Sequence, residues 1–357
     1  MQTAGVASVA VVLLLYVFGF WNVQNSEVGL FIFGVTLSLG SLIAALGSNL
    51  MDVAIGQDWL PDLVTSEELS KMNSHLSQVD LVTEVGAPIA AGFILMVGHP
   101  LFPHLGFFLV ALWNLLSFLP EISLLRSVAK SSEIFATKRV IPKEPQVGVF
   151  ASLQLGWKSF RSHTAAGGMF AATLLWLSVL SPHGVLLTTF LKSDWNVSEH
   201  VLGIFRGGGA LFGILGTLCF PIVRRKIGLL AATLGFLSFQ FGSVALAFVF
   251  FWTRSYSGIA FLSCILFSRI GLYGFGIGET EIRQRFVSSS DRGLISGVVT
   301  SLTSFATLLL FALGAAFGNS SGFQVLVFVS LAAVGAACFL FWKWKQTMLE
   351  ASEVTLQ

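Results

Sequence analysis

Residues 230–252 read LAATLGFLSFQFGSVALAFVFFW and contain no ionisable side chain. A helix that crosses a bilayer needs about 20 mostly apolar residues, because no water is available inside the membrane to satisfy exposed backbone groups. Such a run recurs ten times along the chain, which predicts an all-α polytopic membrane protein with about ten transmembrane helices. We place the spans near residues 4–21, 28–50, 79–98, 105–125, 165–190, 201–222, 230–252, 258–278, 294–317 and 323–342.

The overall composition indicates that lipid is the main solvent. The 357 residues are 55% hydrophobic and 11% charged, with a mean hydropathy of +0.83, whereas globular proteins carry about 25% charged residues. The net charge of +2 comes from basic residues spread in small groups, which argues against a nucleic-acid partner. We find no nucleophile elbow, phosphate-binding loop or pair of catalytic carboxylates, so neither an enzyme nor a cofactor is predicted.

The distribution of basic residues predicts the orientation, because Lys and Arg in short loops stay on the cytoplasmic side. Sixteen of the twenty lie in alternate polar segments, and the loops between those segments hold only Lys192 and Arg254. Both termini are therefore predicted to be cytoplasmic. No cleavable signal is expected, since the first span follows Met1 almost directly. The basic segments are 51–78, 126–164, 223–229, 279–293 and the C-terminus.

The longest polar stretch, residues 126–164, separates four spans from six and is interpreted as a cytoplasmic linker. This division predicts an N-lobe at 1–125, a C-lobe at 165–345 and a cytoplasmic tail at 346–357. Within the linker, the segment 155–160 mixes aromatic and basic residues, which favours a short helix at the membrane surface.

Ionisable side chains inside a span cost about 3 kcal/mol on insertion scales, so each one is a functional candidate. Besides Arg269, the candidates are Glu84, Glu121 and His183. Asn114 and Glu121 lie seven residues apart on the fourth span, so both can point into one cavity and contribute to a cation site. The alternative is that these two are interfacial polar residues that end the helix.

His183 lies in the middle of an otherwise apolar span. Pro182 removes a helix hydrogen bond and Gly184 loosens the backbone, and such breaks expose carbonyl groups and helix ends to a central cavity. The imidazole is a candidate ligand for a transition metal such as Fe(II), or a proton carrier. The alternative is a histidine that a neighbouring helix satisfies at a proline kink.

Two inner segments combine charges with small residues. In the tract 213–228, glycines allow close helix packing and a tight basic loop follows them, as in the loop motif of the major facilitator superfamily. The segment 279–293 is predicted to be a second loop, and it carries both acids and arginines. It is either part of a gate or a solvated loop that sets the topology.

Several motifs together resemble the ferroportin family of iron exporters, solute carrier family 40, within the major facilitator superfamily. Their order and spacing agree across most of the chain. The motifs are Gln57-Asp58-Trp59, Met72-Asn73, Val79-Asp80-Leu81, Gly86-Ala87-Pro88, Ala111 to Asn114 with Glu121, the tract 213–228, Ser268 to Leu272, and Asp291 to Gly297.

The resemblance implies a major-facilitator-type two-lobe helical bundle of twelve helices, alternating access and export of iron(II). Matching places residue 1 near the family's third helix, so the first two helices and the N-lobe metal-binding aspartate are expected to be missing. The C-lobe cysteine and histidine of the animal members fall at Gly184 and Leu310, which leaves His183 as the substitute within reach. Asn114 and Glu121 match polar residues beside the N-lobe cation site.

The resemblance also implies a cytoplasmic gate. The matching residues are Asp58, Asn73, Asp80 and Arg292. A charged pair that the family forms across two helices is replaced on both sides here. Glu84 stands where the family usually has a neutral amide, so it is a candidate acid for metal or proton.

We therefore predict ferroportin-like export of iron(II) or another divalent metal, because histidine and carboxylate ligands suit cobalt, nickel and manganese as well. One alternative is a facilitator-type carrier of an organic solute or metal chelate. The other is a truncated membrane protein that does not transport. The protein is expected to be a monomer in the plasma membrane, with the plastid envelope or the vacuole as alternatives.

Overall fold

The computed structural model describes residues 5–9, 11–12, 27–98, 105–131, 148–253, 257–318 and 322–354. Every regular element among them is a helix and none is a strand, which confirms the all-α prediction. The longer elements are α1 (Glu27–Asp52), a π-helical segment (Val53–Trp59), α2 (Leu60–Leu63), α3 (Leu69–Gly98), α4 (Leu105–Leu116), α5 (Phe118–Ser131), α6 (Val149–Ser162), α7 (Ala166–Leu174), a 3₁₀ turn (Leu175–Leu177), α8 (Val185–Ser193), α9 (Glu199–Ile227), α10 (Leu229–Thr253), α11 (Ser257–Phe286), α12 (Arg292–Phe317) and α13 (Phe323–Val354).

Six helical stretches in the described part of the chain are long and apolar enough to cross a membrane. They are Val28–Leu63, which joins α1 to α2, and the main lengths of α9 to α13. Large apolar side chains lie on their outer faces, where Ile259 is 83% exposed and Ile204 is 74% exposed. Extensive apolar surface of this kind marks contact with lipid. The protein is therefore a multi-pass membrane protein.

Two of the predicted spans are not single helices. The prediction of one helix over 105–125 is wrong, because a turn at Ser117 separates α4 from α5. Pro120 explains the break, since its ring would clash with the carbonyl group four residues earlier. The span predicted at 165–190 is interrupted between the 3₁₀ turn and α8. The span predicted at 4–21 lies outside the described residues, apart from 5–9 and 11–12, which are helical.

The chain divides into two compact units. Unit 1 comprises Met1–Leu63 and Gly86–Gln146, and unit 2 comprises Val64–Val85 and Val147–Gln357. Helix α3 contributes to both, because its first half belongs to unit 2 and its second half to unit 1. The lobe, linker and tail boundaries stay a prediction.

Unit 2 has two clusters of buried apolar side chains. Phe220, Phe275 and Phe341 are buried in one cluster, and Phe190 and Phe323 stack with ring centroids 3.9 Å apart in the other. Helices in lipid associate by close packing rather than by the hydrophobic effect, so small residues at their crossings matter. At Gly216 on α9, a Cβ would overlap the backbone of α11. Only glycine permits this crossing.

Both predicted inner loops are shorter than expected. The basic loop placed at 223–229 is wrong, because α9 continues to Ile227 and only Gly228, with φ +83°, separates it from α10. The loop placed at 279–293 is also wrong in its first half, because α11 continues to Phe286. The helix dipole stabilises cations in the last turn of a helix. Basic residues therefore do not mark the point where these two helices end.

The segment predicted as a surface helix lies in α6. A Cβ at its Gly156 would lie 2.9 Å from Val298 Cγ2, so α6 packs closely against α12. Trp157 is 47% exposed on another face of α6, whereas Phe160 is buried. The membrane-surface position of α6 stays a prediction.

Candidate functional site

The chain between the 3₁₀ turn and α8 is not helical, and Pro182, His183 and Gly184 lie in this segment. Backbone N–H groups of this segment have partners inside the protein. The Val179 N–H donates to Ser330 Oγ at 2.9 Å, and the Gly184 N–H donates to the Ser181 carbonyl at 3.0 Å. Non-helical backbone at membrane depth is tolerated when it is paired in this way inside the protein.

His183 lies beside the carboxylate of Glu84, which α3 contributes. Nδ1 of His183 is 3.7 Å from Oε1 of Glu84, and the side chains are 17% and 45% exposed. This distance is too long for a hydrogen bond. The other ring nitrogen, Nε2, is buried and has no hydrogen-bond partner in the described part of the structure. Neither nitrogen of the imidazole is therefore held by a strong bond.

Two arginines flank this pair. Arg269 on α11 is only 7% exposed, its Nη1 donates to the Leu180 carbonyl at 3.5 Å, and its guanidinium lies 5.6 Å from the centre of the Tyr273 ring. Arg206 on α9 donates to Thr188 Oγ1 at 3.4 Å. Both arginines act electrostatically on His183. We call His183, Glu84, Arg269 and Tyr273 the His183 site.

Helix α9 packs tightly against the break. A Cβ at Gly209 would lie 2.8 Å from Pro182 Cγ and 3.3 Å from His183 Nε2. Any larger residue at this position would have to move the proline ring. Gly209 therefore fixes how closely the imidazole approaches α9.

The His183 site offers two metal ligands. Imidazole and carboxylate groups that share one first-row metal at bonds of about 2.1 Å lie roughly 3 Å apart. A rotation of the exposed Glu84 side chain would close the observed 3.7 Å gap. In the described residues, no group of three or more His, Cys, Asp or Glu side chains is close enough to hold a metal ion. Further ligands would have to come from water or the cargo's own anion.

The other two predicted metal ligands belong to unit 1. Asn114 is exposed near the end of α4, and Glu121 lies in the first turn of α5. Across the break, the Glu121 N–H donates to the Ser117 carbonyl at 3.3 Å and Ser117 Oγ donates to the Asn114 carbonyl at 3.0 Å. The two residues lie on consecutive helices that meet at this turn. Their role as ligands stays a prediction.

A second polar cluster joins the start of α3 to α9 and α11. Nδ2 of Asn73 donates to Gln284 Oε1 at 2.7 Å, and Nε2 of Gln284 donates back to Asn73 Oδ1 at 3.1 Å. Both side chains are buried. Beside them, Ser74 Oγ donates to the Thr217 carbonyl at 2.6 Å. The amide pair links residues 211 positions apart in the sequence.

Glu281 is the centre of this cluster. Its side chain is fully buried and its Oε1 lies 2.6 Å from Arg224 Nη2 and 2.7 Å from Arg285 Nε. Arg285 also donates from Nη2 to the Ser66 carbonyl ahead of α3. Two cations thus neutralise one buried carboxylate. We call Arg224, Glu281, Arg285, Ser66, Asn73 and Gln284 the Glu281 cluster.

The other predicted gate residues, Arg292, Asp80 and Asp58, do not all lie in one unit. Nη2 of Arg292 donates to the Gln284 carbonyl at 3.2 Å, beside the Glu281 cluster. Asp80 lies on an exposed part of α3 in unit 2, whereas Asp58 lies in the π-helical segment of unit 1. The gate role of all four residues stays a prediction. The interpretation of 279–293 as a solvated loop is wrong for Glu281, which is buried between two arginines.

Two contacts were not predicted from the sequence. Gln284 contacts Asn73 in the 64–85 segment, and Arg224 contacts Glu281 on α11. No local signal marks Gln284, because its partner lies in a distant part of the chain. Arg224 belongs to the basic tract 213–228, but the sequence does not indicate which acid it contacts. The contacts are visible only in the structure.

Long apolar helices, a helix break that holds a histidine beside a carboxylate, and an ion-paired cluster at the helix ends define a multi-pass membrane transporter. The chain belongs to the ferroportin family, because the family model described as Ferroportin1 (FPN1) matches residues 1–334. The family assignment made from the sequence motifs is confirmed.

Relatives of this chain occur in bacteria, plants and animals. Ferreportin of Bdellovibrio bacteriovorus is 40% identical over 320 residues, which cover 87% of this chain and 70% of that protein. The chloroplastic solute carrier family 40 member 2 of Oryza sativa is 26% identical, with 87% of this chain and 55% of that protein covered. Ferroportin of Homo sapiens is 22% identical, with 83% and 69% covered.

Solved structures agree with the family assignment. The crystal structure of a bacterial homologue of the iron transporter ferroportin in an outward-facing state has a TM-score of 0.82 and 38% identity, covering 97% of this chain and 81% of that one. The inward-facing state of such a homologue has a TM-score of 0.64 at 38% identity, covering 96% of this chain and 80% of that one. Because these relatives are transporters, the protein is not an enzyme.

Proposed function

We propose that this protein exports iron(II) or a related divalent metal across a membrane by alternating access. The observation that carries the proposal is the pairing of His183 with Glu84 at a helix break, in a chain of the ferroportin family. Imidazole and carboxylate are ligands that first-row divalent metals accept. The two ligands suit cobalt, nickel and manganese as well as iron, so the proposal names divalent metals as a class.

In this scheme, the Glu281 cluster closes the cytoplasmic side. It ties the 64–85 segment to the ends of α9 and α11, and the distribution of basic residues predicts that these ends are cytoplasmic. Asp58, Asp80 and Arg292 are proposed to assist this gate.

Asn114 and Glu121 are proposed as polar groups along the metal path in the N-lobe. Both carry oxygen ligands, and Asn114 is exposed. We propose that the two lobes follow the predicted boundaries, that the protein acts as a monomer, and that it resides in a plasma membrane. A chloroplastic relative makes the plastid envelope the leading alternative, ahead of the vacuole.

A second candidate function is transport of a metal chelate or another organic anion. The observation that favours it is the charge of the His183 site. With a neutral imidazole, Glu84 contributes one negative charge, whereas Arg206 and Arg269 contribute two positive charges that act on His183. A net positive charge of this kind favours an anionic complex over a bare divalent cation.

Transport into liposomes distinguishes the two candidates. The full chain is reconstituted, and the initial rate of Fe(II) entry is followed with an iron-quenched fluorophore inside the vesicles. We expect His183→Ala and Glu84→Gln to slow entry at least about tenfold, because loss of a ligand weakens metal binding by that order. The exposed residues His200 and Glu67 provide the matched controls His200→Ala and Glu67→Gln, which should transport at the parent rate.

The same vesicles are then given ferric citrate. Entry of iron from citrate, with none from free Fe(II), would support the chelate carrier and contradict metal-ion export. Equal rates of Fe(II) entry for His183→Ala and His200→Ala would show that His183 takes no part in Fe(II) transport.

A further inference from the structure

A cavity of about 570 Å³ opens at one end of unit 2. It lies at Gly228, where α9 ends and α10 begins, and the last turns of α11 and α13 complete it. The basic residues at these helix ends predict a cytoplasmic position at the membrane surface. None of the residues of the His183 site lines this cavity.

The lining combines exposed apolar groups with cations. Ile227 is 54% exposed, Phe286 39% and Leu349 43%. Arg285 and Lys345 lie among them, and no carboxylate is part of the lining that the structure describes. Apolar walls with two cations fit a molecule that has an anionic head and a hydrocarbon tail.

The start of α10 adds a third feature. The first intrahelical bond of α10 runs from the Ala232 N–H to the Gly228 carbonyl at 3.0 Å, so the three N–H groups before Ala232 point out of the helix end. Gly228 has no side chain that could cap them. A phosphate at this end would therefore also gain the favourable field of the α10 dipole.

We propose that this cavity binds an anionic phospholipid of the cytoplasmic leaflet. Its phosphate contacts Arg285 and Lys345, and an acyl chain covers Phe286 and Leu349. Basic pockets between transmembrane helices on the cytoplasmic side are typical sites for such head groups. Arg285 also holds Glu281 and the Ser66 carbonyl, so the bound head group lies against the Glu281 cluster.

Lys345 is the residue to test, because it lines the cavity and takes no part in the Glu281 cluster. The full chain is purified in a neutral detergent, and the binding of phosphatidylglycerol is measured by native mass spectrometry. We expect Lys345→Gln to raise the apparent Kd about fivefold, since one basic residue near the head group contributes about that factor. Lys343→Gln on the same helix, outside the cavity lining, should bind as the parent does.

A second variant fills the cavity from its apolar side. Ala231→Phe should abolish binding of one phosphatidylglycerol, and its melting temperature reports whether the fold is intact. Inorganic phosphate and phosphatidylcholine serve as the other two probes, and neither should displace the bound lipid at equal concentration.

Three results would overturn the proposal. Equal Kd values for Lys345→Gln and Lys343→Gln would show that Lys345 does not contact the lipid. Displacement by inorganic phosphate would indicate a simple anion site, and equally tight phosphatidylcholine would indicate a lipid groove without charge selection. All three are independent of metal transport, so they leave the proposed function untouched.

Discussion

The Glu281 cluster and the His183 site both include side chains from α3 and α11, but the charged groups are paired closely in the first and loosely in the second. In the Glu281 cluster, the fully buried carboxylate contacts two arginines at 2.6 and 2.7 Å. At the His183 site, the histidine and the carboxylate are 3.7 Å apart. Arg269 has no carboxylate within ion-pair distance among the described residues.

The close ion pairs of the Glu281 cluster stabilise the protein, whereas the loose pair at the His183 site leaves its groups able to bind a ligand. Removing one member of a buried ion pair leaves an uncompensated charge, so the Glu281 cluster resists disruption. Removing His183 breaks no strong hydrogen bond, because neither ring nitrogen makes one among the described residues. We infer that the first cluster holds a conformation and the second can bind cargo.

The largest effect is expected from Glu281→Ala. Arg224 and Arg285 would lose their shared counter-charge, and the free energy of unfolding should fall by about 3 kcal/mol. Unfolding in mixed micelles with increasing SDS measures this change. The matched control is Glu67→Ala, at an exposed position just ahead of α3. Equal stability of the two variants would contradict the assignment of Glu281 as the centre of the cluster.

A smaller effect is expected from the amide pair in the same cluster. Asn73→Ala and Gln284→Ala should each lower the free energy of unfolding by about 1–3 kcal/mol, because each leaves a buried amide without its partner. The double variant should lose less than the sum, with a coupling energy of about 1 kcal/mol. Strict additivity in this double-mutant cycle would show that the two side chains do not interact in solution.

The smallest effect on stability is expected at the His183 site. Gly209→Ala forces a Cβ against the Pro182 ring, so it should lower the free energy of unfolding by only about 1 kcal/mol. Fe(II) transport should nevertheless fall, because the same Cβ lies 3.3 Å from His183 Nε2. Gly203→Ala on the same helix meets nothing within 4 Å and is the control. Normal transport by Gly209→Ala would mean that the helix break is not part of the path.

The membrane-spanning helices and the helix break could be predicted from the sequence better than the contacts between them. Long apolar runs predict spans because every backbone group must pair inside lipid, and α9 to α13 follow that rule. The pattern Pro182-His183-Gly184 likewise marked the break, since proline and glycine act on the local backbone. These are local properties, which one sequence carries.

Contacts between distant segments could not be predicted in the same way. Asn73 and Gln284 are 211 residues apart, and neither has a feature that selects the other. Glu281 looked like a loop residue because hydropathy falls near the end of α11, yet two arginines neutralise it in a buried position. His183 and Glu84 were both expected as metal ligands, but only the fold brings them within 3.7 Å.

We propose that His183 and Glu84 together bind a divalent metal. The most direct measurement is isothermal titration of the purified full chain with Co(II), which resists air oxidation better than Fe(II). We expect the parent and His200→Ala to bind with equal Kd, and His183→Ala and Glu84→Gln to bind at least about tenfold more weakly. An unchanged Kd in His183→Ala would contradict the claim.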